Sequence, residues 1–539
     1  MTRPRMQPPS TPSSSAERRT IARASLIMFV ALTLGRILGF VRDATITHLY
    51  GQGNQTDIFN MAFFIPDLIF MLIAGGALTA AFIPVFTDYL TQANEEEAWR
   101  VFNILATALT LVVTGAVIAA GVFAVPLARR LLDDPRFTLA DIEQCAYLMR
   151  IVLPAQICFL LGGLMMGAQQ SRQRFLVPAL GPVIYNLSII IGGVALSPRL
   201  GIAGFSWGAL GGAVLGNLLL QYTMVRRMGL RYRPACHLGH PGVRRVIGMM
   251  GAVVLSLALP QILTELNRAF GVRISDGVAS ALANTNRLMQ APLAMFGQSL
   301  AVALLPTLSA YAAARRVADF RETLSRSLRA ILFTTIPISA LMIALSAPLI
   351  RMVFEHGEFT ASDTALAAPI LAAYSIAVPA WSAQAVVARA CFALGDNRTP
   401  VFAGIGVSIL FVLLNLALRG PFGGPGLAAA TSFSGLILAV VMGSVLRRHL
   451  GGLDGGEIAR SAGKTALASL PAAAIAWGIA SVVESSLASQ AVPPALVGLL
   501  QCSLGGGAGL LLFAAGAVAL RIPEAHGVWD RIRRKLRRS

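Results

Sequence analysis

Stretches of about 20 consecutive apolar residues recur from near the start of this chain to near its end, each long enough to cross a hydrocarbon core of about 30 Å. In lipid every backbone N–H and C=O must be satisfied inside the structure, so only helices and closed barrels can span. A barrel reads as short alternating strands, and these runs do not alternate. The chain is therefore expected to be an all-α polytopic membrane protein. Its composition agrees: only 13% of the 539 residues are charged and 55% are hydrophobic, against roughly 25% charged in soluble domains. Helical periodicity inside the runs is weak, as it is for helices buried all round.

About fourteen spans can be drawn, from 22–48 and 56–88 through to 459–483 and 495–520. Pro66, Pro84, Pro154, Pro292, Pro306 and Pro379 mark places where a span should kink. The net charge is +19, but the arginines gather in alternate loops and in the tails. The positive-inside rule then puts both ends in the cytoplasm, which needs an even number of spans. Glu95, Glu96 and Glu97 lie on that same side, where acidic residues carry little weight. Residues 1–20 read as a disordered cytoplasmic tail and 521–539 as a basic one. No basic helix stands free of the spans, which excludes nucleic acid as a partner.

The chain repeats itself at an offset of 222 residues. Ala81–Tyr89, with Pro84, resembles Ala303–Tyr311, with Pro306; at the same offset Pro178 meets Pro400, Gly201 meets Gly423 and Gly204 meets Gly426. Two copies of a six-span unit follow, an N-lobe at 21–226 and a C-lobe at 241–449, with two extra helices at 458–520. Six is even, so the copies share one orientation and are expected to be related by an axis along the membrane normal, with a cavity between them near the midplane. Glycines such as Gly208, Gly212 and Gly216 read as close helix packing.

Charges inside spans are costly, about 2.5–3.5 kcal/mol at the membrane centre on insertion scales, and so mark function. The first span carries three, Arg36, Arg42 and Asp43. Arg36 and Asp43 are two turns apart on one face, too far for a close pair, so Arg42 and Asp43 should find partners on neighbouring helices. Arg287 lies within span eight, the repeat partner of span two. Together Arg36, Arg42 and Arg287, tempered by Asp43, suit a phosphorylated ligand, because the guanidinium fork bonds bidentately and stays charged in low dielectric. Asp57, near the non-cytoplasmic end of span two, is a further binding candidate, with helix capping as its rival role. Glu265, Arg268 and Arg389 lie near span ends and read as snorkelling.

Signatures of an enzyme are not found. There is no P-loop and no nucleophile–base arrangement. Cys236, His237 and His240 form a metal-like pattern without a full ligand set. The five cysteines include no C-x-x-C pair and imply no disulfide framework. Neither metal nor cofactor is expected; movement of a substrate would run on an ion gradient, on membrane potential or downhill.

Several motifs carry a family resemblance: Thr33–Asp43, Gly51-Gln52-Gly53, Thr56-Asp57, Gly76–Pro84, Leu305–Ser309, Phe354–Thr360, Gly395–Val401 and Asn415–Leu418. They resemble the MurJ/MviN lipid II flippases of the multidrug/oligosaccharidyl-lipid/polysaccharide exporter superfamily, over nearly the whole chain. The resemblance implies a bacterial cytoplasmic-membrane flippase with two six-helix lobes. Its partner would be lipid II, the undecaprenyl-pyrophosphate-linked glycopeptide, moved within the bilayer. It also implies a pyrophosphate meeting arginines that match Arg36, Arg42 and Arg287, beside Asp43, and a groove for the lipid tail on the last two helices. One departure stands out. Where many members carry two arginines and a glutamate in span two, Leu68–Ala77 has no charge. That smaller positive field would hold a pyrophosphate less strongly and admits a related lipid-linked glycan. A cation-coupled drug antiporter of the superfamily would instead need carboxylates for its ion, and spans eleven and twelve contain none.

Overall fold

The computed structural model describes residues 15–71, 77–396 and 398–525, and among them there are helices and turns but no strand. The chain is a polytopic helical membrane protein. Among the described residues ten helices have the length and apolarity to cross a bilayer. One of them, Arg398–His449, has 52 residues and contains two spans joined at Gly423. The remaining spans correspond to Ser15–Tyr50, the interrupted stretch from Asn54 to Thr91, and Pro241–Gly271. The first helix begins at Ser15. Residues 15–20, read from sequence as tail, are therefore helical, and residues 1–14 and 526–539 of the tails lie outside the described residues.

Prolines act in two ways. Helices stop or break at Phe63 just before Pro66, at Leu153-Pro154, at Pro292, which opens a π-helical turn over Leu293–Gln298, and at Ile376 before Pro379. Pro84 and Pro306 instead lie inside continuous helices, Ala77–Thr91 and Ser299–Ala313. Those two helices end at Thr91 and Ala313, positions that differ by the repeat offset of 222. The correspondence extends to backbone torsions. Gly201 has φ 57° and ψ −147°, and Gly423 has φ 56° and ψ −134°, a region open to glycine alone. Each lets one span turn directly into the next, so the internal duplication is a property of the backbone as well as of the sequence.

The chain resolves into two compact units. One comprises the described part of Met1–Arg42 with Pro66–Phe123 and Leu148–Val254; the other comprises Asp43–Ile65, Ala124–Tyr147 and the described residues from Leu255 on. In the first, helices Leu176–Leu200 and the run from Ala203 pack through glycine. A Cβ on Gly208 would lie 2.6 Å from the Ser188 carbonyl oxygen, and one on Gly212 would lie 2.9 Å from Cα of Tyr185. In the second, Gly505 approaches the Ala476 carbonyl so closely that a Cβ would lie 2.6 Å away. Lipid supplies no hydrophobic drive between helices, and close backbone approach recovers dispersion instead.

Candidate functional site

The first unit holds two of the charges. Arg36 is exposed and makes no ion pair or hydrogen bond among the described residues. Arg42 is half-buried, and its Nη1 donates to Asn186 Oδ1 at 2.9 Å. Asn186 is itself fixed: its Nδ2 donates to the carbonyls of Gly35 at 3.3 Å and Pro182 at 3.0 Å. One amide thus joins the first helix to Leu176–Leu200 and orients the guanidinium. Asn186 lies in an apolar run, where a buried amide is itself a signal that sequence reasoning passed over.

In the second unit Asp43 is 3% exposed and forms an ion pair with Arg287. Arg287 stands on the helix Val278–Pro292 and keeps 33% of its side-chain surface accessible. Arg42 and Asp43 therefore do find partners on neighbouring helices, as their positions on the first helix predict. A carboxylate at one side of a guanidinium fixes its plane without hiding it, and a planar fork so held presents N–H groups in fixed directions.

Asp57 explains how the Arg287 helix is positioned. That helix has Gly277 at its N-cap, with φ 77° and no side chain to cap it. The two oxygens of Asp57, wholly buried on Asn54–Ala62, supply the cap from another helix. Oδ2 accepts from the Gly277 N–H at 2.8 Å, and Oδ1 accepts from the Ser280 N–H at 2.8 Å and from the Ser280 hydroxyl at 2.6 Å. Asn60, one turn along, donates to the Ser280 hydroxyl oxygen at 3.1 Å. A side-chain oxygen receiving the N–H three residues past the cap is what an N-cap residue ordinarily provides, and the negative charge also meets the positive end of the helix dipole. Gly277 is confined by more than its torsion: a Cβ there would lie 2.5 Å from the Gln52 carbonyl oxygen.

Glu265 and Arg268, read from sequence as snorkelling, instead pair with each other at 3.0 Å with little exposure. They lie three residues apart on one helix, so each neutralises the other locally. Nearby, the Nδ2 of Asn267 donates to Thr431 Oγ1 at 2.8 Å, to Tyr374 Oη at 3.2 Å and to the Leu427 carbonyl at 3.4 Å. This is a neutral knot in which the amide is the donor, the reverse of what a cation would need. His240, one of the three residues of the metal-like pattern, is engaged with Glu97 at 2.8 Å.

Solved structures of known proteins share this fold. "Lipid II flippase MurJ, inward closed conformation" superposes with a TM-score of 0.75 over 92% of this chain and 99% of that one, at 23% identity. An inward-facing multidrug-resistance MATE family transporter of the MOP superfamily gives a TM-score of 0.64 over 79% of this chain and 98% of that one, at 13% identity. The chain therefore shares its fold with both of these structures. The model of the family "Lipid II flippase MurJ" matches residues 46–497. A probable lipid II flippase MurJ of Rhizobium meliloti is 30% identical over 449 residues, covering 78% of this chain and 80% of that protein. The lipid II flippase MurJ of Burkholderia cenocepacia is 28% identical, covering 79% and 84%. The chain belongs to the MurJ family of lipid II flippases.

Proposed function

We propose that this protein moves lipid II from the inner to the outer leaflet of the bacterial cytoplasmic membrane by alternating access, with both termini in the cytoplasm and without chemical change to the lipid. A large anionic headgroup faces a prohibitive barrier in hydrocarbon, and fixed guanidinium groups lower it while the tail stays in lipid. The observation that carries this reading is the Asp43–Arg287 pair: its carboxylate is buried, whereas a third of the arginine side chain is accessible. Arg42, aimed by Asn186, and the exposed Arg36 are the further pyrophosphate contacts. Asp57 serves the same site by holding the helix that carries Arg287. Exposed apolar side chains on the last two helices, among them Leu467, Leu470, Trp477 and Leu511, support a track for the polyprenyl tail.

The test is complementation of a flippase-depleted bacterium, followed by reconstitution in liposomes with lipid II. Arg42→Ala and Arg287→Ala should each abolish growth at normal expression and stop the lipid from appearing on the opposite leaflet. Full growth of both variants would refute the assignment. Mass spectrometry of the lipid after the assay should return it unaltered.

A further inference from the structure

Away from these charges, the first unit carries a cavity of about 500 Å³ where the helix Glu95–Val122 meets the segment Gly229–Ala235. The segment is stitched along the helix. Asn103 Nδ2 donates to the Arg231 carbonyl at 3.2 Å, the Ala235 N–H donates to Thr107 Oγ1 at 3.3 Å, and Tyr232 Oη lies 3.0 Å from the same Thr107 hydroxyl. These contacts leave Arg231 and Arg233 exposed, with no ion pair among the described residues. Asn103 is only 7% exposed, yet its Oδ1 has no hydrogen-bond partner. A buried amide oxygen at a cavity wall is an acceptor awaiting a donor.

The acids beside it are not equivalent. Glu97 is occupied by Arg100 at 3.5 Å and by His240. The Gly242 N–H donates to His240 Nδ1 at 3.1 Å, so Nε2 carries the proton and donates to Glu97. Glu96 is exposed and makes no such pair among the described residues. The unspent groups are then two guanidiniums on one side, and a carboxylate and an amide oxygen on the other.

The helix shows what such a dipolar site continues into. At about 100° per residue, Glu96, Asn103, Thr107, Leu111, Ile118 and Val122 fall within a stripe about 100° wide. Its upper part borders the cavity, and its lower part is bare apolar surface, with Leu111 62%, Ile118 61% and Val122 66% exposed. The helix is a membrane span, so that lower stripe faces acyl chains. Tyr232, whose hydroxyl meets Thr107 on the stripe, and the basic residues on either side of it mark the interfacial level.

We propose that this cavity is a phospholipid headgroup site of phosphatidylethanolamine type. The phosphodiester lies against Arg231 and Arg233, the ammonium donates to Asn103 Oδ1 and Glu96, and an acyl chain follows the Leu111–Val122 stripe. Phosphatidylcholine shares the phosphodiester and the charges but has no N–H to donate, and so isolates the contribution of the ammonium's hydrogen bonds. Native mass spectrometry of the full chain with added lipid gives the test. Phosphatidylethanolamine should be retained about 3- to 10-fold more than phosphatidylcholine, the range one hydrogen bond supplies. Arg231→Gln with Arg233→Gln should lower retention of both lipids by about tenfold, as loss of charge-assisted bonds to phosphate implies. Asn103→Leu should shrink the discrimination between them. Equal retention of the two lipids by the unaltered protein would overturn the proposal, as would undiminished retention by the double arginine variant. Preferred retention of phosphatidylglycerol over phosphatidylethanolamine, in the unaltered protein and Asn103→Leu alike, would show a plain basic patch instead and would also overturn it.

Discussion

The cap that Asp57 supplies to the Arg287 helix can be tested by graded removal. Asp57→Ala strips the acceptors from two buried backbone N–H groups and a serine hydroxyl, with Gly277 unable to replace them. Loss of an N-cap costs about 0.5–2 kcal/mol. Each buried donor left without a partner costs about 1–3 kcal/mol. Because capping and satisfaction of those donors overlap, the net destabilisation should be about 3 kcal/mol. Asp57→Asn keeps the oxygen that serves Ser280 but turns an NH₂ toward the Gly277 N–H, so about half that loss is expected. Ser280→Ala removes one hydroxyl and keeps both backbone bonds, for about 1 kcal/mol. Thermal unfolding of the purified variants should rank them Ser280→Ala, Asp57→Asn, Asp57→Ala in increasing damage, with lipid II transport in liposomes falling in the same order. A ligand-binding role for the carboxylate gives another pattern: transport lost in Asp57→Ala with the unfolding midpoint unmoved. That result would refute the capping argument.

Other expectations follow from single contacts. Asn186→Leu should leave expression intact but weaken complementation, since Arg42 loses the acceptor that aims it, and Arg42→Lys should not substitute because an ammonium has no fork. Gly201→Ala meets no atom within 4 Å and Gly423→Ala meets only Ile274 Cγ2 at 3.6 Å, so each should cost backbone strain alone, about 1–3 kcal/mol, read as matching falls in thermal midpoint. His356, in the loop after Ser346–Phe354, is pushed below the usual histidine value by burial and then by the facing His48 ring. The unfolded chain then takes up the proton first, so stability should be unaffected above about pH 6.5 and should decline as pH falls below it. His356→Gln should flatten that decline in unfolding measured between about pH 5 and 8.

Much of the fold is legible because lipid enforces it: a long apolar run has one way to satisfy its backbone, and the run itself announces the helix. The repeat is equally open, since Pro84 and Pro306 recur at one offset and the helices that hold them end at matching positions, Thr91 and Ala313. The site was legible as a set of residues but not as a set of partners. Asp43 and Arg287 are 244 positions apart, and no local spacing says that they meet. Asn186 was hidden by being neutral, and the capping of Gly277 by Asp57 was hidden because a cap is sought in the helix's own sequence. The Glu265–Arg268 pair shows the opposite case. Its spacing of three on a helix is a local signal, and reading each charge singly obscured it.

The duplication also shows where chemistry was added to a symmetrical frame. At the offset of 222, Gly201 and Gly423, Gly229 and Gly451, and Pro84 and Pro306 correspond. An acid is shared as well, Asp43 in one copy and Glu265 in the other. The arginines are not shared. Arg42 corresponds to Thr264, Arg36 to Ala258 and Arg287 to Ile65, while Asp57 corresponds to Ala279. The two acids consequently have different fates. Glu265 is consumed by Arg268 on its own helix, whereas Asp43 reaches across to Arg287 on another. A local pair moves with its helix and answers to nothing outside it. A pair between helices couples their positions, and a ligand that competes for the guanidinium changes that coupling. The shared features of the duplication build the scaffold, and the departures from it place the charge, which is why Asp43 and Arg287 rather than Glu265 and Arg268 are the groups on which transport should depend.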